Sequence, residues 1–191
     1  FTLGNFADSL VWLGQYERAV PMAREILALR GKTLDDAHPM VAFSLSLLGR
    51  ALGPLGHLDE AERWIRESYA LRQRTLPKGH WLLASSRSTL GAHLVLARRY
   101  REAEALLLPA ERELTSALGD QAPTVLDTRR RLVSLYTAWS RPDDARTWQA
   151  KLPAAPMTTL ALFVLLFVFM FLGMPVAIAL GLSSLLTILF F

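Results

Sequence analysis

Up to about residue 150, apolar residues recur at helical spacing. Leu45, Leu48 and Leu52 lie three and four residues apart, which puts them on one face of a helix. Gly56-His57-Leu58 interrupts that run, and Asp59 stands where a cap would open the next helix. Ala61, Trp64, Ile65 and Leu71 then carry a second apolar face, which ends near Leu76-Pro77-Lys78-Gly79. No alternating apolar–polar run marks a strand. The pattern predicts an all-α chain of helical hairpins.

The hairpins repeat. Ala19, Ala61, Ala103 and Ala145 recur every 42 residues, as do Leu10, Leu52, Leu94 and Tyr136, and Phe6, Leu48, Leu90 and Leu132. Gly49 and Gly91 share that register, as do Thr33-Leu34 and Thr75-Leu76, followed by His38 and His80. A small residue such as Ala61 belongs where two helices cross closely. Four copies without an insertion mean that each hairpin buries its apolar face against its neighbours.

The columns resemble the tetratricopeptide repeat: Leu48-Gly49, Leu52, Asp59-Glu60-Ala61-Glu62 and Ile65, then Leu90-Gly91, Leu94, Tyr100-Arg101-Glu102-Ala103-Glu104 and Leu107. The 42-residue period and the loop Thr33-Leu34-Asp35-Asp36-Ala37-His38-Pro39 are similar to the kinesin-light-chain variety. The degenerate last unit, Leu132 to Ala145, resembles the close of arrays at the C-termini of some bacterial serine/threonine kinases, without any kinase motif. Residues 1–152 are thus expected to form a tetratricopeptide-type helical-hairpin solenoid of about three and a half units. The first unit opens already inside a helix, so further repeats are expected before it.

The resemblance implies a protein-interaction scaffold with a concave groove lined by the first helix of each unit. By matching register, the groove candidates are Phe43, Ser46 and Arg50 in the second unit, Ser85 and Ser88 in the third, and Asp127, Arg130 and Ser134 in the fourth. The expected occupant is a protein or peptide, extended or helical and acidic in view of Arg50 and Arg130.

Charge divides the chain in two. Every Lys, Arg, Asp, Glu and His lies at or before Lys151, and the forty residues from Leu152 to Phe191 have no ionisable side chain. The net +4 therefore belongs to the repeats, where acidic residues are interleaved, so nucleic acid is not an expected partner. The absence of cysteine excludes disulfides and thiolate chemistry. His38 and His80 mark equivalent loops, not a ligand pair, and Asp35-Asp36 and Asp143-Asp144 read as helix-start acids. No glycine-rich phosphate loop or nucleophile elbow is present. No enzyme activity, cofactor or metal is expected, and the five tryptophans read as packing residues.

Pro153-Ala154-Ala155-Pro156 and Met157 read as a linker over 153–157. Leu160 to Leu172 holds no polar side chain, and Val176 to Phe191 only Ser183, Ser184 and Thr187. A bilayer core needs roughly 20 apolar residues, so 158–191 is expected to be a C-terminal transmembrane helix, kinked near Pro175, with the lipid bilayer as its partner. Gly173, Ala177 and Gly181 form a small-residue stripe suited to helix packing. Arg146 and Lys151 precede the span, which places the repeats on the cytoplasmic side of a bacterial inner membrane. Leu172-Gly173-Met174-Pro175-Val176-Ala177-Ile178-Ala179-Leu180-Gly181-Leu182 resembles the first transmembrane element of the TRAP transporter large permease subunit, a family that imports organic acids such as C4-dicarboxylates. That resemblance covers 157–191 and implies other transporter subunits as partners. The family's substrate-bearing helices are absent, so no site residue is carried over. Three readings stay open: a membrane-tethered scaffold, a truncated permease with the repeats as an appendage, or a join at Met157 made in assembling the gene. Phe190-Phe191 lacks a polar flank, so truncation is expected there.

Overall fold

The computed structural model describes residues 2–35 and 37–153, together with Val164 and Val168. The chain divides into two units, Phe1–Leu152 and Pro153–Phe191.

The first unit is all helical among its described residues. The helices are α1 (Thr2–Trp12), α2 (Tyr16–Thr33), α3 (Pro39–Leu52), α4 (Leu58–Thr75), α5 (Trp81–Leu96), α6 (Tyr100–Leu118), α7 (Pro123–Ala138) and α8 (Pro142–Gln149). They pair as four hairpins, and each hairpin packs on the next. The 42-residue register is kept to the residue. Second helices open at Tyr16, Leu58, Tyr100 and Pro142, and first helices at Pro39, Trp81 and Pro123.

Close crossing explains the small-residue columns. Ala19, Ala61 and Ala103 are fully buried, and Ala145 nearly so. A Cβ on Gly49 would stand 2.5 Å from Ile65 Cγ1 and 2.9 Å from the Ala61 carbonyl oxygen. A Cβ on Gly91 would likewise meet the Leu107 side chain at 2.6 Å and the Ala103 carbonyl oxygen at 3.4 Å. Leu107, Leu132 and Leu135 fill the core between the third and fourth hairpins, and Leu48, Leu52, Ala19 and Ala23 the core between the first and second.

The helix ends show what the histidine column does. His38 and His80 are the N-caps of α3 and α5, and each ring Nδ1 accepts the backbone N–H two residues on, from Met40 at 3.1 Å and Leu82 at 3.2 Å. Each thereby satisfies one of the donors a helix start leaves free. Ala122 holds that place before α7 and offers no side-chain bond. Asp59 is not a cap: α4 begins at Leu58, and Asp59 sits in its first turn beside the positive end of the dipole. Asp35 is not in a helix start either; its carboxylate accepts the Ala37 N–H within the α2–α3 loop. Asp143 and Asp144 do lie in the first turn of α8.

Each hairpin turn holds one residue at positive φ, again 42 apart: Gly14 at 72°, Gly56 at 86°, Arg98 at 59° and Ser140 at 58°. The last two lack the freedom of glycine and carry the cost of the left-handed region.

In the second unit the structure describes Pro153, Val164 and Val168; the two valines are helical and exposed. Among the described residues, no helix is long and apolar enough to cross a membrane. The expected transmembrane helix over 158–191, its kink near Pro175, the Gly173, Ala177 and Gly181 stripe and the permease-like motif all fall, apart from those two valines, outside the described residues.

Candidate functional site

The first helices of the hairpins line an open groove of about 500 Å³. From α1 come Asp8 and Trp12, from α3 Phe43, Ser46 and Arg50, from α5 Trp81, Ser85 and Thr89, and from α7 Asp127, Arg130 and Arg131, with Arg72 entering from the end of α4. Six of the eight expected groove residues therefore share one surface: Phe43, Ser46, Arg50, Ser85, Asp127 and Arg130. The 42-residue register returns Phe43, Ser85 and Asp127 to one position on successive helices, and all three line the groove; of the column Ser46, Ser88 and Arg130, the first and last do.

The remaining two lie elsewhere. Ser88 is buried at 1% exposure. Its hydroxyl stands 2.8 Å from that of Thr128 and accepts from Arg131 at 3.0 Å, so it joins α5 to α7 and does not face the groove. Ser134 lines an adjoining cavity of about 320 Å³ with Gly49, Gly53, His93 and Leu96. The two cavities share Trp12, Arg50, Thr89, Asp127 and Arg131.

The groove's charges are ordered across repeats. Arg50 pairs with Asp8, one full repeat earlier, at 2.7 Å, and its guanidinium stands 5.4 Å from the Trp12 ring centroid. Arg131 pairs with Asp127 one turn back at 2.6 Å and donates to Thr89 at 3.3 Å. Arg72 donates to the Ser86 hydroxyl at 2.7 Å, as Arg30 does to Ser44 one repeat earlier. Arg130 is exposed. Four arginines against two aspartates leave the groove lining with a formal charge of +2. Burial pushes the pKa of Arg72 down, and that of Arg131 despite the pull of Asp127. Both stay charged, and a poorly solvated guanidinium binds an anion more strongly than one in open water.

Sequence reasoning missed Asp8, Trp12, Arg72, Trp81 and Arg131. The register held a signal for one of them: Asp8 stands a single period before Arg50 with the opposite charge. Trp12 is 59% exposed at the groove and is not a packing residue, whereas Trp64, Trp139 and Trp148 pack against the cores as expected, as does Trp81 while also lining the groove.

Outside the groove, a second ladder of charges joins the hairpins. Arg99, just before α6, donates to Glu62 on α4 at 2.9 Å and to Glu102 at 2.7 Å. One repeat on, Arg141 donates to Glu104 at 3.0 Å and to Asp144 at 2.8 Å. Burial raises the Glu62 pKa, but the hydrogen bonds from Arg66 and Arg99 outweigh it and hold the carboxyl below its ordinary range. His93 lies under this ladder, buried, with Nε2 4.0 Å from Glu62 and both ring nitrogens without a hydrogen-bond partner. Among the described residues, no group of three or more His, Asp or Glu side chains is placed to hold a metal ion.

Residues 1–74 match the family model for the tetratricopeptide repeat. The chain is similar in structure to the nearly identical TPR-like repeats of a Podosopora anserina protein described as a kinesin light chain, at 22% identity and a TM-score of 0.64, covering 97% of this chain and 93% of that one. A variant of that protein matches at 22% identity and a TM-score of 0.64, covering 95% and 91%. BtubC (BKLC) from P. vanneervenii is similar at 18% identity and a TM-score of 0.62, covering 97% of this chain and 75% of that one. No curated protein matches the chain in sequence. At these identities the likeness establishes a fold: the all-helical, tetratricopeptide-type solenoid.

Proposed function

We propose that this tetratricopeptide-type array is a protein-interaction scaffold whose groove holds an acidic peptide segment of a partner, and that it acts by binding, not by catalysis. The observation that carries the reading is the lining itself. Arg50, Arg72, Arg130 and Arg131 converge from α3, α4 and α7 on a surface that also presents Trp12, Phe43 and Trp81. Aromatic side chains supply contact area with few torsions to immobilise, and guanidiniums supply paired donors for carboxylates. Asp8 and Asp127 hold two of the arginines in place, which lowers the entropy of ordering them on binding.

The test is selection of peptides from a random twelve-residue library on the immobilised chain. Sequences rich in Asp and Glu are expected, bound less tightly as salt rises. Arg130→Glu, an exposed change that breaks no pair in the structure, is expected to weaken the selected peptides a few-fold to roughly tenfold. Enrichment of neutral or basic peptides, or selection indifferent to Arg130→Glu, would remove the groove from this role.

For residues 158–191 the reading is a bilayer tether that holds the repeats at the cytoplasmic face of an inner membrane. Its support is the uncharged stretch from Leu152 to Phe191. The permease-like motif at Leu172–Leu182 bears on the same segment and adds a transporter subunit as the alternative origin of the tether.

A further inference from the structure

The cavity beside the groove is made by departures from the repeat, and the departures meet in one place. Ala92 shares a column with Asp8, Arg50 and Ser134, and is its one member without a polar side chain. Gly53 shares a column with Val11, Val95 and Thr137. A Cβ on Gly53 would lie 3.2 Å from Leu96 Cδ1 and 3.3 Å from His93 Nδ1, so the valine of the neighbouring repeats would crowd both. His93 stands where the repeats before and after it carry Ala51 and Leu135. The other hairpins stack without any of these three choices, and local breaks in a consistent pattern mark a site more often than a packing need. Together they line a space of about 320 Å³ reached by α3, α5 and α7. Organic ligands occupy cavities of roughly 300–1,000 Å³, and this one lies at the small end.

The lining pairs an apolar wall with a few polar groups. Val11, Pro54, Ile65 and Leu96 supply the wall. Arg50 and Arg131 each hold one aspartate, Asp8 and Asp127, at 2.7 and 2.6 Å. A guanidinium has five donors, so each arginine keeps some for a second carboxylate. Asp8 lines the groove and not the cavity, which leaves Arg50, Arg131 and Asp127 to give the cavity a formal charge of +1 with His93 neutral. The His93 side chain is 2% exposed, with both ring nitrogens unpaired. A neutral imidazole offers one donor and one acceptor, and a buried one left without partners is a gap that a ligand's hydroxyl fills.

We propose that this cavity is a binding site for a small organic acid: one carboxylate, held by Arg50 and Arg131, on a compact apolar body that lies against Ile65 and Leu96 and carries a hydroxyl for His93. A neutral molecule forgoes the paired donors of the guanidiniums, and a wholly polar one sets unpaired groups against the apolar wall. The site is independent of the peptide reading of the groove, and its test uses no peptide.

Equilibrium dialysis of the full chain in a non-ionic detergent, with detergent alone as the blank, takes para-hydroxyphenylacetate as the probe. One molecule per chain is expected to bind, with saturation by about 5 mM, an ordinary strength for so few atoms. Para-hydroxyphenylacetamide, which lacks the charge, is expected to bind roughly tenfold more weakly. Ala92→Leu fills the cavity from a half-buried helix position and should weaken the acid roughly tenfold in a chain of unchanged helicity. Ser85→Leu, which fills the groove alone, should leave binding as it was. His93→Leu should erase the preference for the probe over phenylacetate, which lacks the hydroxyl, without erasing binding. No saturable binding, equal binding of the amide, indifference to Ala92→Leu, or a hydroxyl preference that survives His93→Leu overturns the proposal. So does loss of the acid in Ser85→Leu, because the groove is then its site.

Discussion

At the scale of single residues, the same backbone demand is met by different side chains in successive repeats, and the mismatches predict their own energetics. Four hairpin turns need a left-handed residue; glycine supplies it at Gly14 and Gly56, but Arg98 and Ser140 supply it at a cost. Arg98→Gly is therefore expected to raise stability by about 1 kcal/mol, read from the urea midpoint, while Gly56→Ala lowers it. A second mismatch sits inside the core. His93 occupies a column held by Ala51 and Leu135, both fully buried, and its ring nitrogens find no partner there. Burial lowers its pKa below the ordinary 6.5, more than neighbouring Glu62 and Asp59 raise it, and Arg99 and Arg66 add to the lowering. The folded protein thus binds this proton less readily than the unfolded chain does. Its contribution to stability is fully present above about pH 6.5 and is lost as pH falls below that value. Urea midpoints at pH 7.5 and 5.5 are expected to differ less in His93→Leu, which restores the leucine of the next repeat, than in the natural protein. An unchanged difference would show that other groups set the acid limb.

At the scale of elements, the hairpins are joined by two kinds of contact. Apolar columns make the bulk of each interface, and charged pairs pin its edges. The C-terminal hairpin is pinned most heavily. Arg129 on α7 is buried against Glu111 on α6, with Nε 2.7 Å from the carboxylate, and its other nitrogens reach Asp120 in the α6–α7 loop and the Lys151 carbonyl after α8. One guanidinium thereby ties four segments. Glu111→Leu leaves a buried cation with a single exposed carboxylate partner and is expected to cost about 3 kcal/mol. Because repeats contact only their neighbours, the loss should fall on α7 and α8 and spare the first two hairpins. Amide exchange resolved by segment checks this; uniform loosening of the whole array would contradict it.

At the scale of the whole molecule, a hydrogen-bonded, charged solenoid and an uncharged segment share one chain. If 158–191 enters a bilayer, the full chain is expected to float with phosphatidylglycerol-containing vesicles and to resist extraction by alkaline carbonate. A chain ending at Leu152 should remain in the aqueous fraction. Recovery of the full chain from that fraction would end the tether reading.

Much of the fold was legible because it repeats. Hydrophobic spacing of three and four gave helices. The fixed interval between Ala19, Ala61, Ala103 and Ala145 gave the succession of hairpins, and the structure adds helix starts that keep the same interval. Steric need is local here: Gly49 and Gly91 are required by side chains one hairpin arm away, so the requirement is written in the columns themselves. The groove was legible in part. Phe43, Ser85 and Asp127 were found because register alone returns them to one face. Ser88 was misplaced because its hydroxyl meets that of Thr128 on α7, a pairing between hairpins that no column records. Trp81, Arg72 and Arg131 line the groove from positions outside the expected columns. Periodicity thus determined which residues are equivalent, since equivalent residues answer the same local packing demand. Only the packed array decided which equivalents face a partner, since exposure depends on where the next hairpin lies, as Phe6 and Leu48 show with one position and two environments.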